Sequence, residues 1–158
     1  AHGGDDRNSR PAGVWLPRGP LGRQVAIDFA VTSGMIPDRV RGAADNPGGV
    51  TANYEHHKRT FMPPGTSATT EERCNANHIH FLPFVIEAHG GSIGNEGRKV
   101  IAYIASGMHA LTTEAEESAG LRIAQRISVT LQKANARAVL GRRQDISDRE
   151  IGEPALEV

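Results

Sequence analysis

The nine residues from Gln24 to Thr32 constrain the fold most, because they alternate strictly between two kinds of side chain. One face carries the larger apolar residues, which are Val25, Ile27, Phe29 and Val31. The other face carries Ala26, Asp28, Ala30 and Thr32. Alternation with a period of two places successive side chains on opposite faces of a β-strand. The segment is therefore predicted to be a strand that projects the Asp28 carboxylate from a face with little bulk.

Two further apolar segments complete the predicted sheet. Val14-Trp15-Leu16 is a short apolar run that Pro17 closes, and the turn-forming residues up to Arg23 join it to the first long strand as a hairpin. The segment from His78 to Glu87 is mostly apolar and is followed by glycines, so it is predicted to be a second long strand. Pro83 within it cannot donate a ladder hydrogen bond, which favours an edge position or a bulge.

Helical periodicity and capping residues predict four helices, whereas the segment from Ser33 to Val50, rich in Gly, Pro, Asp and Asn, is predicted to be a loop. The predicted helices cover about Thr51 to Phe61, Ser67 to Asn77, Glu96 to Leu111 and Thr113 to Leu140. Thr51 is the expected N-cap of the first helix, and Gly141 is the expected cap at the end of the last. The apolar residues of the last helix fall within an arc of about 100°, the stripe of a helix packed on a core. They are Ile123, Ala124, Ile127, Leu131, Ala134 and Ala138. The sequence thus predicts an α/β fold with a small central β-sheet flanked by helices and a long amphipathic C-terminal helix.

Composition limits the classes of protein to which the chain can belong. It has 158 residues, with 18 Lys and Arg against 18 Asp and Glu, so its whole surface does not attract nucleic acid or anionic lipid. No apolar run approaches the roughly 20 residues of a membrane span. The single cysteine, Cys74, excludes an internal disulfide and a cysteine-rich zinc module. We therefore expect a soluble, intracellular protein, without an indication of its compartment.

The distribution of polar residues predicts one domain, over residues 13–143. Residues 1–12 form a polar lead-in and residues 144–158 a polar tail. Polar termini are ordered only where something holds them, and this leads us to expect other protein chains as partners in a larger assembly.

Asp28, Glu87 and Lys58 are the candidate catalytic residues. Two carboxylates on different strands, Asp28 and Glu87, could together bind a divalent metal ion through oxygen ligands. Lys58, on a helix that faces the sheet, could then steady a phosphate or position a water molecule. The alternative is that an aspartate within a strand is a hydrogen-bonded structural residue.

A basic stripe on the last helix is the candidate nucleic-acid-binding surface. Arg122, Arg126, Lys133 and Arg137 fall within about 60° of one another, next to the apolar arc. Such a stripe could follow a phosphate backbone. The alternative is a solvated face whose long side chains cover the edge of the core.

Histidines supply a further candidate site. His78 and His80 are two residues apart on a predicted strand, and Cys74 precedes His78 by four residues. A transition-metal site is conceivable, but the spacing is not that of a zinc finger. Exposed or hydrogen-bonded histidines are the alternative, and the role of His78 and His80 stays open.

Several short motifs occur in a fixed order along the chain, from Arg10 to Arg143. They are Arg10-Pro11-Ala12-Gly13-Val14, Gly22-Arg23, the segment Ala26–Ser33, Lys58, the segment Phe81–Gly91, Leu121–Ser128 and Asn135–Ala138. This series resembles the restriction-endonuclease-like domain found C-terminal to the reverse transcriptases of site-specific retroelements. The resemblance implies a restriction-endonuclease-like fold and hydrolysis of DNA phosphodiester bonds with Mg²⁺ or Mn²⁺.

The same resemblance implies roles for individual residues. Asp28 matches the family's second acid and Lys58 its helix lysine, whereas the first aspartate of the family falls at Gly13. Ala30 stands where the commonest version of the site has its lysine, and Pro63-Pro64-Gly65 interrupts a helix that is continuous in relatives.

These departures predict a catalytically impaired domain that requires no cofactor and serves as a structural or binding subunit. The alternative is an active endonuclease that uses Asp28, Glu87 and Lys58 with Mg²⁺ or Mn²⁺. The acids available to replace the missing aspartate are Glu87, Asp5 and Asp6.

Overall fold

The computed structural model describes residues 13–19, 22–35, 46, 48–89 and 91–151, with side chains as far as residue 141. Its elements, in chain order, are β1 (Val14–Leu16), β2 (Gln24–Thr32), α1 (Gly49–Thr60), α2 (Thr70–Ala76), β3 (Ile79–Glu87), α3 (Asn95–Leu111) and α4 (Glu116–Ile151). The predicted lead-in of residues 1–12, including Asp5 and Asp6, lies outside the described residues, as do residues 152–158 of the predicted tail.

The three strands form one mixed sheet in the order β1-β2-β3. β1 runs antiparallel to β2, with Trp15 opposite Ala26, and β2 runs parallel to β3. A parallel pair needs a crossover connection, and the segment containing α1 and α2 provides it. The predicted α/β class with a small sheet and helices is confirmed, and within the described residues Pro83 lies in an edge strand of this sheet, as predicted.

One face of the sheet packs against α3 and α4. The buried residues of this core are Val25, Ile27, Leu82, Phe84, Val100 and Ile101. Ile123, Ala124 and Ile127 of α4 pack against it and are partly buried. Val25 and Ile27 belong to the large apolar face predicted for β2, and the three α4 residues belong to the first part of the predicted α4 stripe. On β2 itself, Val25 and Ile27 are buried, whereas Phe29 and Val31 are more than half exposed.

The other face of the sheet packs against α1 and α2. A second buried cluster joins Ala26, Phe81 and Cys74, so α2 is held against the sheet by its cysteine. A capping box begins α2, since the Thr69 hydroxyl accepts from the Glu72 backbone N–H and the Glu72 carboxylate accepts from the Thr69 backbone N–H. Asp28 projects from this same face, so its side chain lies beside the helices and is only partly exposed to solvent.

The two predicted helix caps are wrong. The N-cap of α1 is Gly48, with φ of 92°, rather than Thr51, whose hydroxyl donates to the Gly48 carbonyl over 2.8 Å. A glycine at this position adopts the left-handed conformation without the steric cost that a side chain would add. At the other end of the chain, α4 does not stop at Gly141 but continues to Ile151, into the segment predicted to be a polar tail.

The length of α4 explains why only part of its apolar stripe is buried. Its 36 residues span about 54 Å, whereas a strand of nine residues spans only about 30 Å. Leu131 is half-buried, but Ala134 and Ala138 are exposed because the helix has passed the sheet. The prediction that the whole stripe packs on the core is wrong for these two alanines. No helix among the described residues is long and apolar enough to cross a membrane.

Candidate functional site

An ion pair joins the centre of β2 to α1. The Nζ atom of Lys58 lies 3.0 Å from Oδ2 of Asp28, and both side chains are less than one-third exposed. The Lys58 ammonium is also 5.8 Å from the centroid of the Tyr54 ring, one helical turn earlier. The structure thus brings together two of the three residues predicted to be catalytic.

The ion pair lies in the wall of a cleft of about 600 Å³ between α1, α2 and the sheet. Its apolar floor includes Ile79 and Phe81. Arg73 of α2 and Asn77, which caps the C-terminal end of α2, contribute polar groups. Sequence reasoning missed both residues, because only the packing of α2 beside α1 places them in this cleft.

Aromatic side chains form one wall of this cleft. The ring of His57 lies 5.9 Å from that of Tyr54 and 6.3 Å from that of Phe61, measured between centroids. Spacings of three and four residues put these rings on one side of α1. The helical spacing of Tyr54, Lys58 and Phe61 was visible in the sequence and was the signal that could have revealed this wall.

Glu87 is not part of the cleft. In the parallel pairing Asp28 is opposite Pro83, while Glu87 is opposite Thr32, four residues further along. At about 3.3 Å per residue, the Cα atoms of Asp28 and Glu87 are separated by at least about 13 Å. The structure therefore does not bring the two carboxylates together on one metal ion.

The Glu87 carboxylate instead joins the ends of the two long strands. Its Oε1 accepts from the Gly34 backbone N–H over 3.3 Å, and its Oε2 accepts from that of His89 over 3.1 Å. Nearby, the Ser33 hydroxyl and the His89 ring are 3.1 Å apart. These hydrogen bonds hold the Glu87 carboxylate against the backbone that follows β2 and β3, which is a structural role. Among the described residues, no group of three His, Cys, Asp or Glu side chains could hold a metal ion.

Gly13 directly precedes β1. A Cβ atom added there would lie 3.6 Å from the Phe29 ring. Phe29 neighbours Asp28 along the strand and therefore projects from the opposite face. Position 13 thus does not direct a side chain at Asp28, and Ala30, on the Asp28 face, adds only a methyl group.

His78 and His80 line a separate pocket of about 210 Å³ with Arg23 and Asn75. His78 adopts a left-handed conformation, with φ of 58°, where the chain leaves α2. Cys74 lies in the floor region of the larger cleft, where burial raises the pKa of its thiol. The structure therefore does not place Cys74 in one pocket with the two histidines.

The predicted basic stripe lies on α4. Arg122, Arg126, Lys133 and Arg137 are all exposed. Arg122 forms an ion pair with Glu114, which precedes the helix. Asn135, on a different side of α4, donates to the Ala88 carbonyl over 2.8 Å and fixes the helix beside the end of β3. The nucleic-acid role of the stripe stays a prediction.

A buried carboxylate cluster was missed by sequence reasoning. Glu55 of α1 is 7% exposed, and its Oε1 accepts from the Glu96 backbone N–H over 3.0 Å, at the start of α3. Burial raises the pKa of Glu55, although the hydrogen bond from Glu96 opposes that effect. Arg59 lies 2.9 Å from the Glu96 carboxylate and also pairs with Glu71 of α2. The cluster ties three helices together.

Comparison with known proteins identifies no relative of this chain. No protein-family model matches the chain, and no curated protein or solved structure matches it.

Proposed function

We propose that the chain is a nuclease-fold domain of retroelement type that is catalytically impaired and acts as a binding or structural subunit of a larger assembly. The observation that carries the proposal is the pairing of Asp28 with Lys58 at 3.0 Å, while Glu87 is held by other contacts at the end of β3. Lys58 therefore lies beside Asp28, the first of the two candidate acids, and apart from Glu87, the second.

The chemistry of phosphodiester hydrolysis explains why this separation matters. A divalent ion that activates water is held by several oxygen ligands and carries two positive charges. Asp28 supplies one carboxylate, and the Lys58 ammonium already offsets its charge. The bound ion would then have to compete with an intramolecular cation for the same oxygen. Impaired metal binding is the expected consequence.

The alternative proposal is an active Mg²⁺- or Mn²⁺-dependent DNA endonuclease. It is favoured by the position of Lys58, which meets Asp28 from the helix as the family resemblance implies. It also requires a second acid near Asp28, and the strand register directs Glu87 elsewhere. The binding or structural role is therefore supported better.

A plasmid-nicking assay tests the proposal. The purified chain is incubated with supercoiled DNA and either Mg²⁺ or Mn²⁺, beside Asp28→Ala and the control variant Glu117→Gln, whose carboxylate is exposed at the start of α4. We expect all three proteins to leave the plasmid intact. Metal-dependent nicking by the unaltered chain and Glu117→Gln that disappears in Asp28→Ala would overturn the proposal and establish the endonuclease.

A further inference from the structure

We infer that the cleft beside the Asp28–Lys58 ion pair binds an unpaired base of single-stranded nucleic acid, with the base against the aromatic wall and the phosphate near Lys58 and Arg73. The inference rests on the proposed function and deepens it, because it names the ligand class of the cleft. It requires no cleavage of the bound strand and no metal ion.

The size and floor of the cleft suit a single nucleotide. Its volume of about 600 Å³ lies within the range of roughly 300–1,000 Å³ that is typical of small-ligand sites. Phe81 is 1% exposed and Ile79 packs against its cluster, so the floor is apolar and fixed. A flat, mostly apolar ring gains from leaving water for such a floor.

The aromatic wall supplies stacking surfaces. Phe61 is 46% exposed, although an apolar ring of this size loses free energy by remaining in water. The rings of Tyr54, His57 and Phe61 follow one another along α1 with centroid separations near 6 Å. Bases stack on aromatic side chains without regard to sequence, but only where they are not paired in a duplex. The wall therefore favours a single strand.

The charges of the cleft suit the accompanying phosphate. Among the described lining residues, Lys58 and Arg73 are cationic and Asp28 is the one carboxylate. Because Lys58 is paired with Asp28, the Arg73 guanidinium leaves the cleft with excess positive charge. Aromatic surfaces beside basic groups are the combination by which proteins bind single strands.

Fluorescence anisotropy with labelled oligonucleotides tests the inference, in EDTA so that no divalent ion contributes. The probes are a thymidine 12-mer, an abasic 12-mer with the same number of phosphates, and the thymidine strand paired in a duplex. We expect the thymidine strand to bind at least about tenfold more tightly than the abasic strand or the duplex, as base stacking requires. Equal affinity for the thymidine and abasic strands, or tighter binding of the duplex, would overturn the inference.

Variants at the aromatic wall locate the site. Phe61→Ala keeps the backbone carbonyl that accepts from Thr70, so α1 and α2 stay joined. It should weaken binding of the thymidine strand by about tenfold and of the abasic strand far less, whereas Phe61→Trp should preserve both affinities. The control is Leu111→Ala, since Leu111 is 87% exposed at the end of α3 and outside the cleft. An unchanged affinity in Phe61→Ala would refute the assignment.

The two proposals fail in different experiments. Nicking that depends on Asp28 would overturn the impaired nuclease and leave the base preference in EDTA intact. The absence of a preference for thymidine over abasic strands would overturn the cleft assignment, whatever the nicking assay shows.

Discussion

Replacement of Gly94 by alanine tests how tightly the buried Glu55 carboxylate packs against the start of α3. A Cβ atom at Gly94 would lie 2.1 Å from Oε1 of Glu55 and 2.8 Å from its Cδ atom. The backbone of Gly94 has φ of −63°, which any residue adopts, so the cost of the change is steric. The Glu55 carboxylate must move for the methyl group to fit.

The size of the effect follows from what the carboxylate then loses. The Oε1 atom of Glu55 accepts from the Glu96 backbone N–H over 3.0 Å. A hydrogen bond to an ionised group contributes about 1.5–3 kcal/mol. Alanine also lowers the conformational entropy of the unfolded chain, which increases the free energy of unfolding by about 0.4–1 kcal/mol. We expect a net loss of about 1.5 kcal/mol in the free energy of unfolding, or a Tm lower by roughly 3–6 °C.

A double-mutant cycle separates this contact from other effects of the alanine. Urea unfolding at pH 7, followed by circular dichroism, is measured for the unaltered chain, Gly94→Ala, Glu55→Ala and the double variant. Because Glu55→Ala removes the obstacle, Gly94→Ala should cost at least about 1 kcal/mol less in that background. The matched control is Gly107→Ala within α3, where an added Cβ meets no atom within 4 Å and should stabilise by up to about 1 kcal/mol.

An equal cost of Gly94→Ala in both backgrounds would refute the proposed contact. So would a cost below about 0.5 kcal/mol in the unaltered chain, a difference within the usual scatter of surface substitutions.

Two further predictions concern the helices around the cleft. Burial raises the pKa of Glu55 above its ordinary value of 4.5, so the folded state keeps this proton where the unfolded state has lost it, and stability falls as the pH rises from 4.5 through the folded pKa. Glu55→Gln removes this pH-dependent loss of stability. In urea unfolding, the stability of the variant relative to the unaltered chain should therefore increase from pH 4 to pH 7. Parallel pH profiles of the two proteins would contradict a raised pKa of Glu55. Thr69→Ala removes the capping hydroxyl of α2 and should lower the free energy of unfolding by about 1 kcal/mol, whereas Thr113→Ala, an exposed control, should change it by less than about 0.5 kcal/mol.

The strands were predictable because their patterns are local. Gln24–Thr32 forms a strand with the predicted bounds, and Ile79–Glu87 begins one residue later than expected. Alternation of apolar and polar residues, together with flanking glycines and prolines, is set by neighbours in sequence. The same reasoning placed Asp28 on the less bulky face of β2, where it meets Lys58.

The position of Glu87 was not predictable from the same patterns, because it depends on the register between β2 and β3. The two strands are joined by a long crossover, and their first residues, Gln24 and Ile79, are aligned. Asp28 is the fifth residue of its strand and Glu87 is the ninth residue of its own. Strand recognition alone does not fix that offset, since register depends on how the buried faces pack.

The residues of α1 that join the helices and those that line the cleft lie on different sides of this helix. Glu55 and Arg59 are four residues apart and face α2 and α3, where their contacts join the helices. Tyr54 and Lys58 have the same spacing but are shifted by one residue, and they face the cleft. One residue rotates a helix by about 100°, so the two pairs lie on different sides. Substitutions at Glu55 should therefore change the free energy of unfolding, whereas substitutions at the cleft residues should change ligand affinity while the three helices remain joined.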